Sequence, residues 1–199
     1  MKKIIFIFSL FFIFHNPQAK TILFLGDSLT EGYGIDKEDA YPSLVSKMIK
    51  EKLNKEVKVI NGGVSGSTSN DGLSRLKWYM KKKPALVLIA LGSNDGLRGL
   101  NLTQTKKNLE AIIQYAQKNQ AKVLLAGMLM PPNYGPEYTG QFKKVYQGLK
   151  AKYKLKSMPF FLDGIAGKKE LNQPDGIHPN EKGHKYLAKN VFEFIKDEI

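Results

Sequence analysis

The chain contains no cysteine in its 199 residues, which excludes a disulfide framework and any cysteine-ligated metal site. Histidine is scarce: of three, His15 lies in an N-terminal apolar stretch, leaving His178 and His184 for chemistry in the body of the chain. Arginine occurs only as Arg75 and Arg98, although the formal net charge is +13. A nucleic-acid binder can show such a balance. Arginine is the usual base-reading side chain, however, and no DNA- or RNA-reading motif accompanies the lysines. We read the charge as solvated lysine faces and expect no nucleic-acid partner. A weak attraction to anionic envelope lipids is the one surface interaction that the charge leaves open.

What is present at the N-terminus is a targeting pattern. Lys2 and Lys3 precede a mostly apolar run, Ile4 to Phe14, and a short polar stretch leads to Ala19. This is the layout of a secretory signal, and the run is too short for a comfortable membrane span. Residues 1–19 are therefore expected to be a signal peptide and residues 20–199 one exported domain, periplasmic or secreted. Pro17 occupies the −3 position, where a small residue is preferred, so an uncleaved tether is the alternative. Loss of Lys2 and Lys3 lowers the formal charge to +11 (13 − 2).

Past the leader, short apolar runs alternate with helical spacing, and no repeat, low-complexity tract or linker intervenes. Thr21 to Leu25, Val57 to Ile60, Ala85 to Leu91, Val123 to Met128 and Phe160 to Leu162 read as strands. Helices are expected over Tyr41 to Leu53, from about Asn70, from about Thr103 to Asn119, from about Thr139 to Tyr153 and from near Asn180. This pattern predicts a single three-layer, doubly wound α/β domain around a central, mainly parallel five-stranded sheet.

The first three strands each end in small polar residues: Gly26-Asp27-Ser28, Asn61 to Thr68, and Gly92 to Gly96. Ligands of open α/β sheets bind beyond the carboxyl ends of the strands. Ser28 is placed there with an exposed hydroxyl and a free N–H, although a serine in that position also makes an ordinary helix N-cap. A serine nucleophile needs a base. His178 lies in the turn-rich stretch Gln173 to Asn180 before the last helix, while His184 falls inside that helix among lysines and reads as an exposed surface histidine. Asp175 precedes His178 by three residues, a spacing that can bring a carboxylate to the imidazole Nδ1. A capped turn is the plainer reading of the same residues. The Ser28 N–H, a glycine N–H of the second loop and the Asn94 side chain are candidate oxyanion donors, with an Asx-type turn the alternative for Asn94.

At these residues the chain resembles the GDSL esterase/lipase family of the SGNH hydrolase superfamily. Four blocks occur in the family's order: Gly26-Asp27-Ser28-Leu29, Gly66, Gly92-Ser93-Asn94-Asp95, and Asp175-x-x-His178. The stretches around them are most similar to the bacterial periplasmic thioesterase/lysophospholipase and arylesterase branch. The resemblance implies a flavodoxin-like SGNH fold with Ser28 as nucleophile, His178 as base and Asp175 as its orienter. It also implies that Ser28, Gly66 and Asn94 form an oxyanion hole, and that Asp95 to Leu100 act as a mobile flap. Asp27, Asp95, Leu97 and Pro179 are expected to contact substrate. Ser67 and Ser93 depart from the branch, which often has aspartate and glycine there.

The expectation is a serine hydrolase of carboxylic esters or acyl thioesters. It would work through an acyl-enzyme as a monomer, on a small-molecule or lipid ester, with no metal or cofactor. An O-acetylesterase of acetylated envelope polysaccharide and a non-enzymatic anion-binding module are the rival readings.

Overall fold

The computed structural model describes residues 20–199, so the expected signal segment lies outside the described residues. Five strands form one all-parallel sheet: β1 (Lys20–Gly26), β2 (Val57–Gly63), β3 (Leu86–Ala90), β4 (Lys122–Ala126) and β5 (Lys156–Met158). Their order is β2-β1-β3-β4-β5, with Leu23 of β1 opposite Ile60 on one side and Val87 on the other. Strands β1 and β3 are covered on both faces, which is why they read as continuous apolar runs rather than alternating ones. Burying each of Leu23, Phe24, Leu88 and Ile89 removes its whole side chain from water and contributes about 1.5–3 kcal/mol.

The helices are α1 (Ser28–Glu31), α2 (Tyr41–Leu53), α3 (Ser69–Tyr79), α4 (Ser93–Leu97), α5 (Leu102–Lys118), α6 (Pro136–Tyr153) and α7 (Glu181–Ile195). The crossover connections divide them between the two faces of the sheet. The chain steps from β1 outward to β2, then reverses past β1 to β3, so α2 lies on one face and α3, α5 and α6 on the other. Helix α7 returns to pack on α2, and α3 packs on α5. Their ends follow local chemistry. Asn101 accepts from the Thr103 and Gln104 N–H groups at the start of α5 (2.9 and 3.1 Å), and Asn180 accepts from Gly183 N at the start of α7 (3.1 Å).

The last strand departs from expectation. Strand β5 is Lys156–Met158, not residues 160–162. As the sheet's edge it buries only Met158 fully, so it carries no apolar run to announce it. Pro159 cannot donate to the ladder and ends it. Phe161 is fully buried in the following turn, its ring edge-on to Tyr41 at 5.5 Å, so its apolar character serves the core without a strand.

The reversal of strand order between β1 and β3 is a topological switch point, where the sheet opens a crevice at its carboxyl edge. Ser28 follows β1 and Asn94 follows β3, on the two sides of that crevice.

Candidate active site

Strand β1 ends in a turn too tight for any side chain at residue 26. A Cβ on Gly26 would lie 1.9 Å from Thr30 Oγ1. Asp27 caps the next helix, its Oδ1 accepting from Leu29 N at 3.1 Å. Helix α1 lasts one turn and is closed by Gly32 in the left-handed region (φ 87°). Ser28 is its first residue, so its N–H has no intrahelical acceptor.

Across the crevice, the segment before α7 presents His178. Gln173 anchors that segment: its N–H donates to His178 O (2.7 Å), and its side-chain amide donates to Tyr33 O (2.7 Å) and Pro179 O (3.0 Å). His178 Nε2 lies 2.9 Å from Ser28 Oγ, and Nδ1 lies 2.7 Å from Asp175 Oδ2. The other Asp175 oxygen accepts from the backbone N–H groups of Ile177 and His178, both at 3.0 Å. Desolvation pushes the Asp175 carboxyl up, but the hydrogen bonds from the His178 ring and these two N–H groups outweigh it. The carboxyl is held below the usual range and stays ionised at neutral pH. An anionic Asp175 at Nδ1 selects the tautomer that leaves Nε2 free to accept the serine proton.

Ser28, Gly66 and Asn94 line one cavity. Among the described residues, neither the Ser28 nor the Gly66 N–H is spent on a protein acceptor. Asn94 Nδ2 donates to Ser67 O at 2.9 Å, which orients the amide and leaves its second N–H for a ligand. The cavity holds about 630 Å³, and apolar side chains dominate its walls, among them Leu29, Leu97, Met128, Met130, Phe160 and Ile177. Met128, Met130 and Phe160 are additions to the residues singled out from the sequence. They sit beyond β4 and β5, at the same carboxyl edge of the sheet, and that shared edge was the available signal.

Of the four expected substrate contacts, Asp27 and Leu97 line the cavity and two do not. Asp95 is buried and faces away, accepting from Ser69 N (2.8 Å), from the Ser69 hydroxyl and from Thr105 Oγ1 (3.1 Å). It fastens α4 to α3 and α5. Pro179 is buried behind His178 against Gly183 and is absent from the cavity wall. Within the segment expected as a flap, Leu97 O accepts from Tyr134 OH (2.9 Å) and Gly96 O from Tyr138 OH (3.0 Å).

His184 is corrected too: it is 1 % exposed, a core residue. Gly183 lets α7 approach the backbone at Leu171, which draws the next side chain inward, and His184 Nδ1 accepts from Tyr41 N at 3.2 Å. Desolvation, followed by the charge of His178, lowers its pKa to about 4, so it is neutral at physiological pH. Burial acts in the opposite sense on Asp27, raising it to about 6 against the Leu29 N–H bond. Among the described residues, no group of three His, Asp or Glu side chains is arranged to hold a metal ion.

Comparison with known proteins adds relatives to this geometry. A model of the GDSL-like lipase/acylhydrolase family matches residues 24–186. The chain is 40% identical over 182 residues to the esterase TesA of Pseudomonas aeruginosa, covering 91% of this chain and 90% of that protein. It is 36% identical over 184 residues to the thioesterase 1/protease 1/lysophospholipase L1 of Escherichia coli K12, covering 92% and 86%. A crystal structure of TesA, 40% identical, superposes with a TM-score of 0.87 over 90% of this chain and all of that one (100%).

Proposed function

Since the chain belongs to the GDSL-like lipase/acylhydrolase family, we propose that Ser28 is its nucleophile, His178 its general base and Asp175 the residue that orients the base. The protein is an ester-cleaving serine hydrolase. The observation that carries the assignment of roles is the 2.9 Å approach of His178 Nε2 to Ser28 Oγ, with Asp175 on the far side of the ring.

Ser28 Oγ attacks the acyl carbonyl carbon while its proton passes to His178 Nε2. The Ser28 and Gly66 N–H groups and the Asn94 amide receive the oxyanion, each such donor typically contributing about 3–4 kcal/mol to the transition state. The intermediate collapses, the ester C–O or thioester C–S bond breaks, and the leaving group takes the proton from His178. Water then attacks the acyl-serine, giving a proton to His178, and the carboxylic acid departs as Ser28 regains its hydrogen.

The apolar cavity favours an alkyl acyl group over a bare acetyl. Acyl thioesters and lysophospholipids fit this reading, in keeping with the name of the Escherichia coli relative, and small aryl esters fit the same cavity. The enzyme acts as an exported monomer, directed by residues 1–19 and drawn weakly to anionic lipid by its charge. Among the described residues no helix is long and apolar enough to cross a membrane.

A fluorophosphonate probe tests the assignment. The expected result is one covalent adduct, mapped by mass spectrometry to Ser28 and blocked by an ester substrate. No adduct, or an adduct on another serine, would overturn it.

A further inference from the structure

The Gly66 donor is gripped from both sides by charged side chains that have no role in the proton relay. Glu31, three residues beyond Ser28 in α1, accepts from Ser65 N at 2.7 Å and from the Ser65 hydroxyl. Arg98, four residues beyond Asn94 and capping α4, donates from Nη2 to Gly66 O at 3.0 Å. Each side chain thus reaches from an element that carries one oxyanion donor to the backbone flanking the third. Gly66 itself sits in the left-handed region (φ 76°), where only glycine is comfortable and no side chain exists to lock the peptide. Ser67 N–H closes the turn on Val64 O at 3.1 Å, and within that turn the direction of the Gly66 N–H is restrained further by what holds Ser65 and the Gly66 carbonyl.

We propose that Glu31 and Arg98 are positioning residues, which together fix the Gly66 N–H relative to the Ser28 and Asn94 donors. This rests on reading those three groups as the oxyanion hole. Both side chains are solvent-exposed, and exposed charged contacts stabilise a fold little. Their effect is on geometry. Donors aimed at a developing oxyanion act mainly in the transition state, so misplacing one lowers kcat and leaves KM nearly unchanged. A displacement of about 1 Å can cost on the order of 100-fold in rate. With one side-chain restraint removed, the other and the Ser67–Val64 backbone bond still hold the peptide in part, and a loss of about 10-fold is expected.

The test compares Glu31→Ala, Arg98→Ala, the double variant and Glu31→Gln with the wild type on a soluble p-nitrophenyl ester. It adds the Ki of a trifluoromethyl ketone, which forms a tetrahedral oxyanion on the serine, and the melting temperature. Each alanine variant is expected to lose about 10-fold in kcat, with KM and Tm essentially unchanged. Its ketone Ki should rise by the same factor. The double variant should lose more than either, and Glu31→Gln, which keeps an acceptor oxygen, should recover part of the loss. A kcat and Ki indistinguishable from wild type in both alanine variants would overturn the proposal. So would a loss confined to KM, or a Ki that stays fixed while kcat falls. If the wild type neither cleaves the ester nor binds the ketone, the hydrolase roles themselves fail. If it does both and the variants match it, only the positioning roles fail.

Discussion

His178 Nε2 meets Ser28 Oγ at 2.9 Å although 150 residues separate them in the chain. Neither side chain is placed by the other. Ser28 is set by the Gly26 turn and the single helical turn that Gly32 closes. His178 is set by Gln173, which ties its segment to Tyr33, and by the packing of α7 on α2. The two loops meet at one sheet edge and are tied together there, since Tyr33, which accepts from Gln173 (2.7 Å), donates its own N–H to Ser28 O (3.1 Å).

Asp175→Asn is expected to lower kcat by about 10²–10⁴-fold, because an amide N–H facing Nδ1 favours the tautomer that cannot accept at Nε2. An asparagine oxygen can still accept from Ile177 and His178 N–H, so the loop and KM should persist. Steady-state kinetics on a p-nitrophenyl ester, with circular dichroism, reads this directly. Wild-type kcat in the variant would show that the Asp175–His178 bond serves only the turn.

The cavity wall predicts a chain-length preference. Each methylene that enters an apolar cavity contributes up to about 0.8 kcal/mol, roughly 4-fold in kcat/KM. A series of p-nitrophenyl esters from acetate to octanoate should therefore rise steeply before it levels. A maximum at acetate would favour an enzyme of acetylated glycans instead.

His184 predicts a pH dependence of stability. Its folded pKa, about 4, lies below the ordinary 6.5. Between those values the unfolded chain binds more protons, so this residue's contribution is complete above about pH 6.5 and is lost as pH falls toward 4. Asp27 opposes it: raised from 3.8 to about 6, it favours the folded state increasingly as pH drops across that interval. In urea titrations, His184→Gln should be less stable than wild type at neutral pH, with the deficit shrinking as the pH approaches 4. A deficit independent of pH would contradict the buried neutral imidazole.

Gly183→Ala sets helix propensity against packing. Alanine inside α7 would gain about 1 kcal/mol of intrinsic preference. Its Cβ, however, would lie 2.1 Å from the Leu171 carbonyl oxygen, which is backbone and cannot swing aside. Overpacking of that kind costs about 1–3 kcal/mol or more. The variant should melt lower than wild type, and a higher Tm would mean that α7 yields without penalty.

Periodicity made the sheet and most helices legible. Leu86 to Ala90 is a short apolar run after a proline, as a strand buried on both faces requires, and the inward residues of Tyr41 to Leu53 repeat at helical spacing. Beyond that, chemistry without periodicity decided the outcome. Strand β5 escaped notice because an edge strand need not be apolar. His184 looked like a surface residue among lysines because the glycine that draws it inward acts through a contact with Leu171, distant in sequence. Asp95 adjoins a candidate oxyanion donor yet faces α3 and α5, since neighbours on a short helix point in different directions. Glu31 and Arg98 adjoin the first and third sequence blocks, but only the folded loops reveal what they hold.

The most direct test is the turnover of Ser28→Ala on p-nitrophenyl butyrate beside its melting curve. With the nucleophile gone and Ser28 only a small side chain at the cavity edge, kcat should fall by about 10⁴-fold or more while Tm stays within a few degrees. A folded Ser28→Ala enzyme that retains turnover within about 10-fold of wild type would contradict the account, because the ester would then be cleaved by some other group.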